Sequence, residues 1–250
     1  MVIATRPAVT TTRSGDVSRF LSFRFSNIVS IFNESPSVKV VCSSVDITGL
    51  VETRDCPDYT DNIFADLRSF NVFRRARDRH GGGVALVVSR TLRGYRRPDL
   101  EHRDLEMLMV DISVSNIIVC VFYSPPVSVR VNTVTFVEHI RSLSHDIIQR
   151  LIVLGDFNVP DVDWESRGAR SLHDHALLEA TREFTFKQII NFPTRLNNIL
   201  DLVFLPVAMP YDSLEGISAP AAKCDHTALQ FRGLIPKRNA RLTSRLRWRR

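Results

Sequence analysis

Short apolar runs separated by polar breaks recur along the chain, a pattern typical of strands joined by turns. Two of these runs, 105–114 and 117–123, flank the polar pair Ser115 and Asn116, and we predict that they form a β-hairpin. The other apolar runs predict buried strands at 45–51, 84–88, 151–154, 199–205 and 227–231. Polar and glycine residues bound most of them.

Helical spacing is clearest at 133–150, where apolar residues recur three or four positions apart from Phe136 to Ile147. Residues 174–183 form a second predicted helix, and 20–32, with apolar residues at mixed spacing, is read as a third. Gly155 is expected to end the strand before it. Many strands with interleaved helices predict a mixed-sheet α/β sandwich.

Length and composition fit one folded domain with a distinct segment at each end. The chain has 250 residues, of which 44% are hydrophobic and 24% are charged, as in ordinary globular proteins. Residues 1–20 are rich in Thr, Ser and Arg, and we expect them to be loosely ordered. The predicted domain spans 21–233, and a basic tail spans 234–250.

The net charge of +6 is concentrated in this tail. From Arg232 to Arg250 there are eight Lys or Arg residues and no acid, so the rest of the chain is slightly acidic. Such a tail suits a polyanion, and Trp248 among the arginines could stack on bases. A solvated linker is the alternative interpretation.

Cysteine spacing and hydropathy exclude several classes of protein. Cys42, Cys56, Cys120 and Cys224 contain no C-x-x-C pair, which argues against a zinc site and gives no support for a disulfide framework. No apolar stretch has the length of a signal peptide or a membrane span. We therefore expect an intracellular protein without a membrane contact, and no motif for a small organic cofactor stands out.

Acids at the ends of apolar runs are the candidates for chemistry. Asp156 and Asn158 follow the 151–154 run, at the kind of strand end where ligand sites of α/β sheets gather. Glu52 follows the 45–51 run, and its carboxylate could bind a hard cation such as Mg²⁺. The alternatives are an Asx turn at Asp156 and an ordinary exposed acid at Glu52.

Asp201 lies inside an apolar run, where an acid needs a partner. Asp225 and His226 offer one, because an Asp that orients a His is a common catalytic pair. The pair could equally be structural. Tyr123 ends its predicted strand, a position where tyrosine is more often part of the core or rim than catalytic.

These residues occur within a series of short motifs whose order along the chain is specific. The series resembles the endonuclease/exonuclease/phosphatase superfamily, which includes apurinic-site endonucleases and DNase I. The segments 155–164 and 188–195 are similar to the endonuclease domain of non-LTR (LINE-type, jockey-like) retrotransposons. The motifs are Glu52 and Thr53, Gly81 to Val84, Tyr123 to Pro126, Gly155 to Asn158, Pro193 to Arg195, Leu200 to Val203, and Asp225 with His226.

The resemblance implies the fold and the metal site. It implies a four-layered α/β sandwich of the DNase I-like type, in which helices flank two packed mixed β-sheets and the active site lies at one rim. Glu52 matches the metal-ligand glutamate, and Asp225 matches an acid close to the metal. The implied ion is Mg²⁺ or Mn²⁺, and the implied partner is DNA.

Catalytic roles follow from the same resemblance. Asp156 matches the aspartate that orients or deprotonates the attacking water, and Asn158 its neighbour that positions phosphate. Tyr123 matches the tyrosine that contacts the scissile phosphate. Asp201 matches the acid that holds the catalytic histidine, here His226.

The chain departs from the family pattern near its N-terminus. The family begins with a strand that carries an asparagine, and no residue of 14–29 clearly occupies that position. Asn27 and Asn33 fall in or next to the predicted first helix, so the role is assigned to neither. Cys224 stands where the family usually has serine. These departures predict a truncated or decayed copy.

Three functions remain open from the sequence. The first is a metal-dependent, DNA-nicking endonuclease domain of a retrotransposon, nuclear when functional, whose intact element would also carry a polymerase domain. The second is a non-catalytic remnant that at most binds nucleic acid. The third, favoured least, is a phosphatase of the same superfamily.

Overall fold

A computed structural model describes residues 19–32, 34–77, 81–221 and 223–235. Four helices lie in these ranges: α1 (Ser35–Ser43), α2 (Val129–Ser142), α3 (His145–Ile148) and α4 (Leu172–Glu183). The strands are β1 (Arg19–Asn27), β2 (Ile47–Val51), β3 (Phe70–Arg75), β4 (Val84–Ser89), β5 (Gly94–Arg96), β6 (Glu106–Ile112), β7 (Ile117–Tyr123), β8 (Leu151–Asp156), β9 (Val162–Asp163), β10 (Gly168–Ala169), β11 (Phe186–Gln188), β12 (Asp201–Pro206), β13 (Tyr211–Ile217) and β14 (Ala228–Ile235). None of these helices is long and apolar enough to cross a membrane.

Two six-stranded sheets form the centre of the molecule. Sheet I has the order β13-β14-β1-β2-β4-β3, and sheet II has the order β11-β12-β8-β7-β6-β5. The β1–β2 and β7–β8 pairs are parallel and the other pairs are antiparallel, so both sheets are mixed. The strands β9 and β10 form a separate two-stranded ribbon.

Apolar side chains separate the structure into four layers. Alternate residues of β1 (Leu21, Phe23 and Phe25) point into the core between the two sheets. Helices α2 and α4 cover the outer face of sheet II through residues such as Phe136 and Leu177, while α1 covers sheet I. The predicted four-layered sandwich of two mixed sheets with flanking helices is confirmed.

The prediction of a helix at 20–32 is wrong, because residues 20–27 belong to β1 and the described residues after Asn27 form bends and a turn. The sequence alternates apolar and polar residues from Leu21 to Ser26, and the strand pairs with β2 on one side and β14 on the other. Phe23 stacks on Phe231 of β14, with ring centroids 4.8 Å apart. A strand held by partners this distant in sequence gives only a weak local signal.

Other predicted elements differ at their ends. The helix predicted at 133–150 is divided into α2 and α3, because Leu143 is extended at ψ 154°. The strand predicted to stop at Gly155 continues to Asp156. Glycine is required inside it, since a Cβ would lie 2.7 Å from the carbonyl oxygen of Phe122 on the adjacent strand.

The hairpin is confirmed, with β6 and β7 in antiparallel register and a longer turn than predicted, from Ser113 to Asn116. The segments predicted at the two chain ends overlap the fold slightly. β1 begins at Arg19 and β14 ends at Ile235. The rest of 1–20 and 234–250 lies outside the described residues.

Candidate active site

The strand registers bring the predicted site residues to one end of the sandwich. In sheet I, Asn27 at the end of β1 pairs with Val51, directly before Glu52. In sheet II, Asp156 at the end of β8 pairs with Tyr123 on one side and Asp201 on the other. The facing sheets thus place these polar groups at one rim.

Asn27 connects the two sheets at this rim. Its amide nitrogen donates to Oε1 of Glu52 and to Oδ2 of Asp156, both at 3.0 Å. Its side-chain oxygen accepts from the backbone N–H of Val29 at 3.0 Å. The side chain is buried and its polar atoms are all used, so it fixes the distance between the two carboxylates.

The loop after β2 holds Glu52 in an unusual conformation. Its φ is 52°, in the left-handed region, where a non-glycine residue costs about 1–3 kcal/mol. The backbone N–H of Thr53 donates to the carbonyl of Gly83, and the Thr53 hydroxyl donates to Asp55. Such strain persists only where the surroundings enforce it, so this loop is built to present Glu52.

The glycine motif supports that loop. Gly82 has φ 72°, and a Cβ there would lie 2.2 Å from a carboxylate oxygen of Glu106. The same carboxylate accepts from the N–H of Gly83 at 2.8 Å. Both glycines are therefore structural.

Asp201 and His226 form a buried pair. Nδ1 of His226 lies 2.7 Å from Oδ2 of Asp201, and the two side chains are 3% and 1% exposed. Burial acts to lower the pKa of His226, but the hydrogen bond and charge of Asp201 outweigh it and raise that pKa above its ordinary value. This arrangement fixes the orientation of the imidazole and favours its protonated form. It also leaves Nε2 available for a ligand.

The Pro193 to Arg195 motif positions this pair. The buried hydroxyl oxygen of Thr194 accepts from the backbone N–H groups of Leu200 and Asp201, both at 3.0 Å. The carbonyl of Thr194 accepts from the N–H of Thr227 at 2.7 Å. Thr194 therefore fastens the start of β12 to the segment that carries His226.

Asp156 lies beside the Asp201–His226 pair. One potential ligand atom from each of these three residues lies within 4.8 Å of the others. Burial raises the pKa of Asp156 well above its usual range, and the charge of Asp201 raises it further, despite His226 and the Asn27 hydrogen bond. The cluster therefore combines two carboxylates with one imidazole, so its negative charge is not fully compensated.

Tyr123 and Asn158 complete the inner rim. Burial raises the pKa of Tyr123, and the charge of Glu52 and a hydrogen bond with it raise it further, so the phenol stays neutral. Asn158 has φ 51°, its N–H donates to Oδ1 of Asp156 at 3.1 Å, and its amide donates to the carbonyl of Ser124 at 2.8 Å. Asp156 therefore forms the Asx turn considered from the sequence, and Asn158 also lies at the site.

Asp225 lies further out than the other site residues. Its side chain is 50% exposed and accepts from Nε of Arg195 at 2.8 Å, while its other oxygen lies 3.9 Å from Nε2 of His226. Cys224, beside it, contacts the backbone carbonyl of Asn27 at 2.8 Å. Asp225 therefore flanks the histidine, with an arginine already bound to it.

The inner rim has the chemistry of a site for a hard cation. Glu52, Asp156 and Asp201 contribute carboxylate oxygens, which suit Mg²⁺ or Mn²⁺. Oδ1 of Asp201 is buried and has no hydrogen-bond partner in the described part of the chain. His226 already uses Nδ1 on Asp201, so the carboxylates are the better ligands. The residues present fit a divalent ion.

The structure thus brings all of the predicted residues to one rim, with Asp225 at its edge. Asn27 was missed because its strand was read as a helix. Arg195 belongs to the Pro193 to Arg195 motif, but the sequence predicted no role for it. The alternation from Leu21 to Ser26 was the signal that could have identified β1 and its terminal asparagine.

Three of the solved structures that share this fold are nucleases. The endonuclease domain of TRAS1, a telomere-specific non-LTR retrotransposon, matches with a TM-score of 0.66 and 16% identity, covering 86% of this chain and 98% of that one. The 3'-5' exonuclease NExo from Neisseria meningitidis matches with 0.63 and 16%, covering 84% and 98%. An AP endonuclease from Archaeoglobus fulgidus matches with 0.61 and 13%, covering 84% and 98%.

Sequence comparison agrees with the fold. A family model described as endonuclease-reverse transcriptase matches residues 117–229, which include Tyr123, Asp156, Asp201 and His226. No curated protein sequence matches the chain. The resemblance predicted from the sequence is confirmed: residues 117–229 match the endonuclease-reverse transcriptase family, and the chain has the fold of the endonuclease/exonuclease/phosphatase superfamily.

Proposed function

We propose that this protein is the DNA-nicking endonuclease domain of a non-LTR retrotransposon and that it hydrolyses phosphodiester bonds with the aid of Mg²⁺ or Mn²⁺. The observation that carries the proposal is the Asn27 amide, which joins Glu52 and Asp156 across the two sheets. The Asp201–His226 pair lies beside them at the same rim.

Asp156 is the residue that we assign to the attacking water. Its raised pKa makes it a better base than an ordinary aspartate, and general-base catalysis is worth about 10²- to 10⁴-fold. Asn27 and the N–H of Asn158 each bind one of its oxygens, which fixes the direction of the carboxylate. We infer that Asp156 accepts the proton of water as the water attacks phosphorus.

His226 is assigned to the negative charge that develops on the phosphoryl oxygens. Asp201 orients the ring and favours its protonated form, so Nε2–H can donate to an oxygen of the phosphate. The neutral Tyr123 hydroxyl can donate to the same phosphate. Asn158 would position that phosphate from the other side.

A divalent ion would be held by Glu52 together with the neighbouring carboxylates, with Asp225 at the edge of the site. When bound, it would neutralise charge on the phosphate and assist the leaving oxygen. The strained, well-supported conformation of Glu52 is consistent with this role.

The ground for a non-catalytic remnant was the loss of the first strand and its asparagine. β1 is present in the structure and ends in Asn27. We infer that the protein acts on DNA in the nucleus. An intact element would also carry a polymerase domain. Direct contact of the basic tail at 234–250 with DNA is part of this proposal.

The test is a nicking assay on supercoiled plasmid. The purified chain should convert it to open circles in Mg²⁺ or Mn²⁺ and leave it intact in EDTA. If a folded preparation shows no metal-dependent nicking, the proposal is wrong and the remnant is favoured. Release of phosphate from small esters without nicking would instead favour the phosphatase.

A further inference from the structure

A cavity of about 430 Å³ adjoins the site, and no role assigned above uses it. Asn158, Arg195 and Leu200 connect it to the active-site rim, and Arg130 and Asn198 also line it. A strand bound across the rim would pass over this cavity. The unpaired charges that line the cavity therefore determine which ligand it can bind.

Arg195 presents a fixed guanidinium to the cavity. Its Nε donates to Asp225 at 2.8 Å, and its backbone forms bridges with Asn198 and His226. Within the described ranges, neither of its Nη atoms has a hydrogen-bond partner. An anchored Nε with two free Nη groups is the geometry with which arginine binds an oxyanion through two parallel hydrogen bonds.

Arg130 supplies a second positive charge. It is exposed, and no residue of the described chain forms an ion pair with it. It lies in the first turn of α2, which has no side-chain cap and no acid. The beginning of α4, on the same cavity, is by contrast capped by Ser171 and carries Asp174.

The acids that line the cavity are already paired. Oδ2 of Asp174 accepts from the Ser171 hydroxyl at 2.6 Å, and its other oxygen lies 3.2 Å from Nε2 of His173. Asp161 lies 3.8 Å from Arg170. Among the described residues, the cationic groups without a partner on this cavity are Arg130 and the Nη groups of Arg195, although Oδ1 of Asp174 also has no hydrogen-bond partner.

We propose that Arg195 and Arg130 form a subsite for a second backbone phosphate of the bound DNA strand, next to the phosphate that is cut. This inference rests on the proposed function and names two substrate contacts for it. Arg195, oriented by Asp225, binds phosphate oxygens with its free Nη groups, and Arg130 binds the same phosphate from α2. The contact fixes the position of the strand without reading its sequence.

The test measures binding of a fluorescent DNA duplex in EDTA from 50 to 200 mM salt, where no cleavage interferes. Replacing both Arg195 and Arg130 by alanine should reduce the slope of log K against log salt by about 0.9, the amount for one phosphate no longer neutralised, and each single replacement should reduce it by part of that. Each alanine should weaken binding about tenfold. Arg195→Lys keeps the charge and should retain the slope.

Arg93→Ala is the matched control. Arg93 is exposed and follows the end of β4, whose other end, at Val84, adjoins the site. Removing it also lowers the net charge by one but should leave the slope unchanged. If Arg195→Ala and Arg130→Ala behave like Arg93→Ala, or if the unaltered protein does not bind DNA, the subsite is refuted.

Kinetics separate this inference from the proposed function. In the nicking assay, the two alanine variants should raise KM with little change in kcat, as expected for a contact made equally before and during reaction. Absence of nicking by the unaltered protein contradicts the function, while the salt slopes still decide on the subsite. A merely structural role of Arg195 would lower Tm in both Arg195 variants and leave the slope intact.

Discussion

Two clusters of carboxylates, each with at least one buried member, lie near the same rim and differ in how their charge is balanced. In the first, Arg74 donates to Asp55 and to Asp61, each at 2.7 Å, and also contacts three backbone carbonyl oxygens. In the second, ligand atoms of Asp156 and Asp201 lie within 4.8 Å of a nitrogen of His226, and Asp156 otherwise accepts from the neutral groups of Asn27 and Asn158. One cluster is complete within the protein, and the other needs a further cation.

The pKa directions express this difference. Burial acts to lower the pKa of Arg74, but its hydrogen bonds to Asp55 and Asp61 raise it, so the first cluster holds its charges firmly. Burial and Asp201 raise the pKa of Asp156, so keeping the second cluster ionised is energetically unfavourable. A protein keeps an undercompensated acid cluster where a ligand supplies the missing charge.

The largest expected effect comes from Asp156→Asn. This change should reduce plasmid nicking by about 10²- to 10⁴-fold, since it removes the group that activates water. Thermal unfolding should show a Tm equal to or above that of the unaltered protein, because a buried acid of raised pKa is replaced by a neutral group of the same shape. Undiminished nicking would remove Asp156 from the mechanism.

Arg74→Met should have the opposite signature. It leaves Asp55, which is fully buried, without its cation, and breaking a buried pair in this way costs about 3–5 kcal/mol. For a domain of this size, Tm should fall by roughly 6–20 °C. A Tm change similar to that of Asp156→Asn would show that the two clusters do not differ as described.

Addition of a divalent ion should give the smallest of the three effects. Mg²⁺ at about 100 times its Kd should stabilise the unaltered protein by about 2.7 kcal/mol, and Arg74→Met by the same amount. Glu52→Gln should lose this rise in Tm, measured against NaCl of equal ionic strength. An equal rise in Glu52→Gln would place the ion elsewhere.

The sequence predicted the second cluster better than the first. Asp156, Asp201 and His226 lie in short motifs whose order along the chain is specific, and strand ends in an α/β sheet converge by geometry. Arg74 lies on β3, which has no distinctive pattern, and its partners are set by a loop. Ion pairs of this kind depend on distances that residue order does not encode.

Asn27 shows why one site residue was missed. Four phenylalanines and two isoleucines from position 20 to position 32 fit a helix and a strand about equally when read locally. The strand is selected by its pairing with β2 on one side and β14 on the other. β14 lies about 200 residues further along the chain, so its effect on β1 is not visible in the local sequence. Burial of Leu21, Phe23 and Phe25 on one face then fixes the register that brings Asn27 to Glu52.

The position of β1 between β2 and β14 has a consequence for synthesis of the protein. The hydrogen bonds on one side of the first strand cannot form until the last strand leaves the ribosome, about 200 residues later. At ordinary translation rates this interval is roughly 10–40 s. During that time the strand that carries Asn27 has an open edge, so the nascent chain depends on chaperones more than a domain with local pairing does.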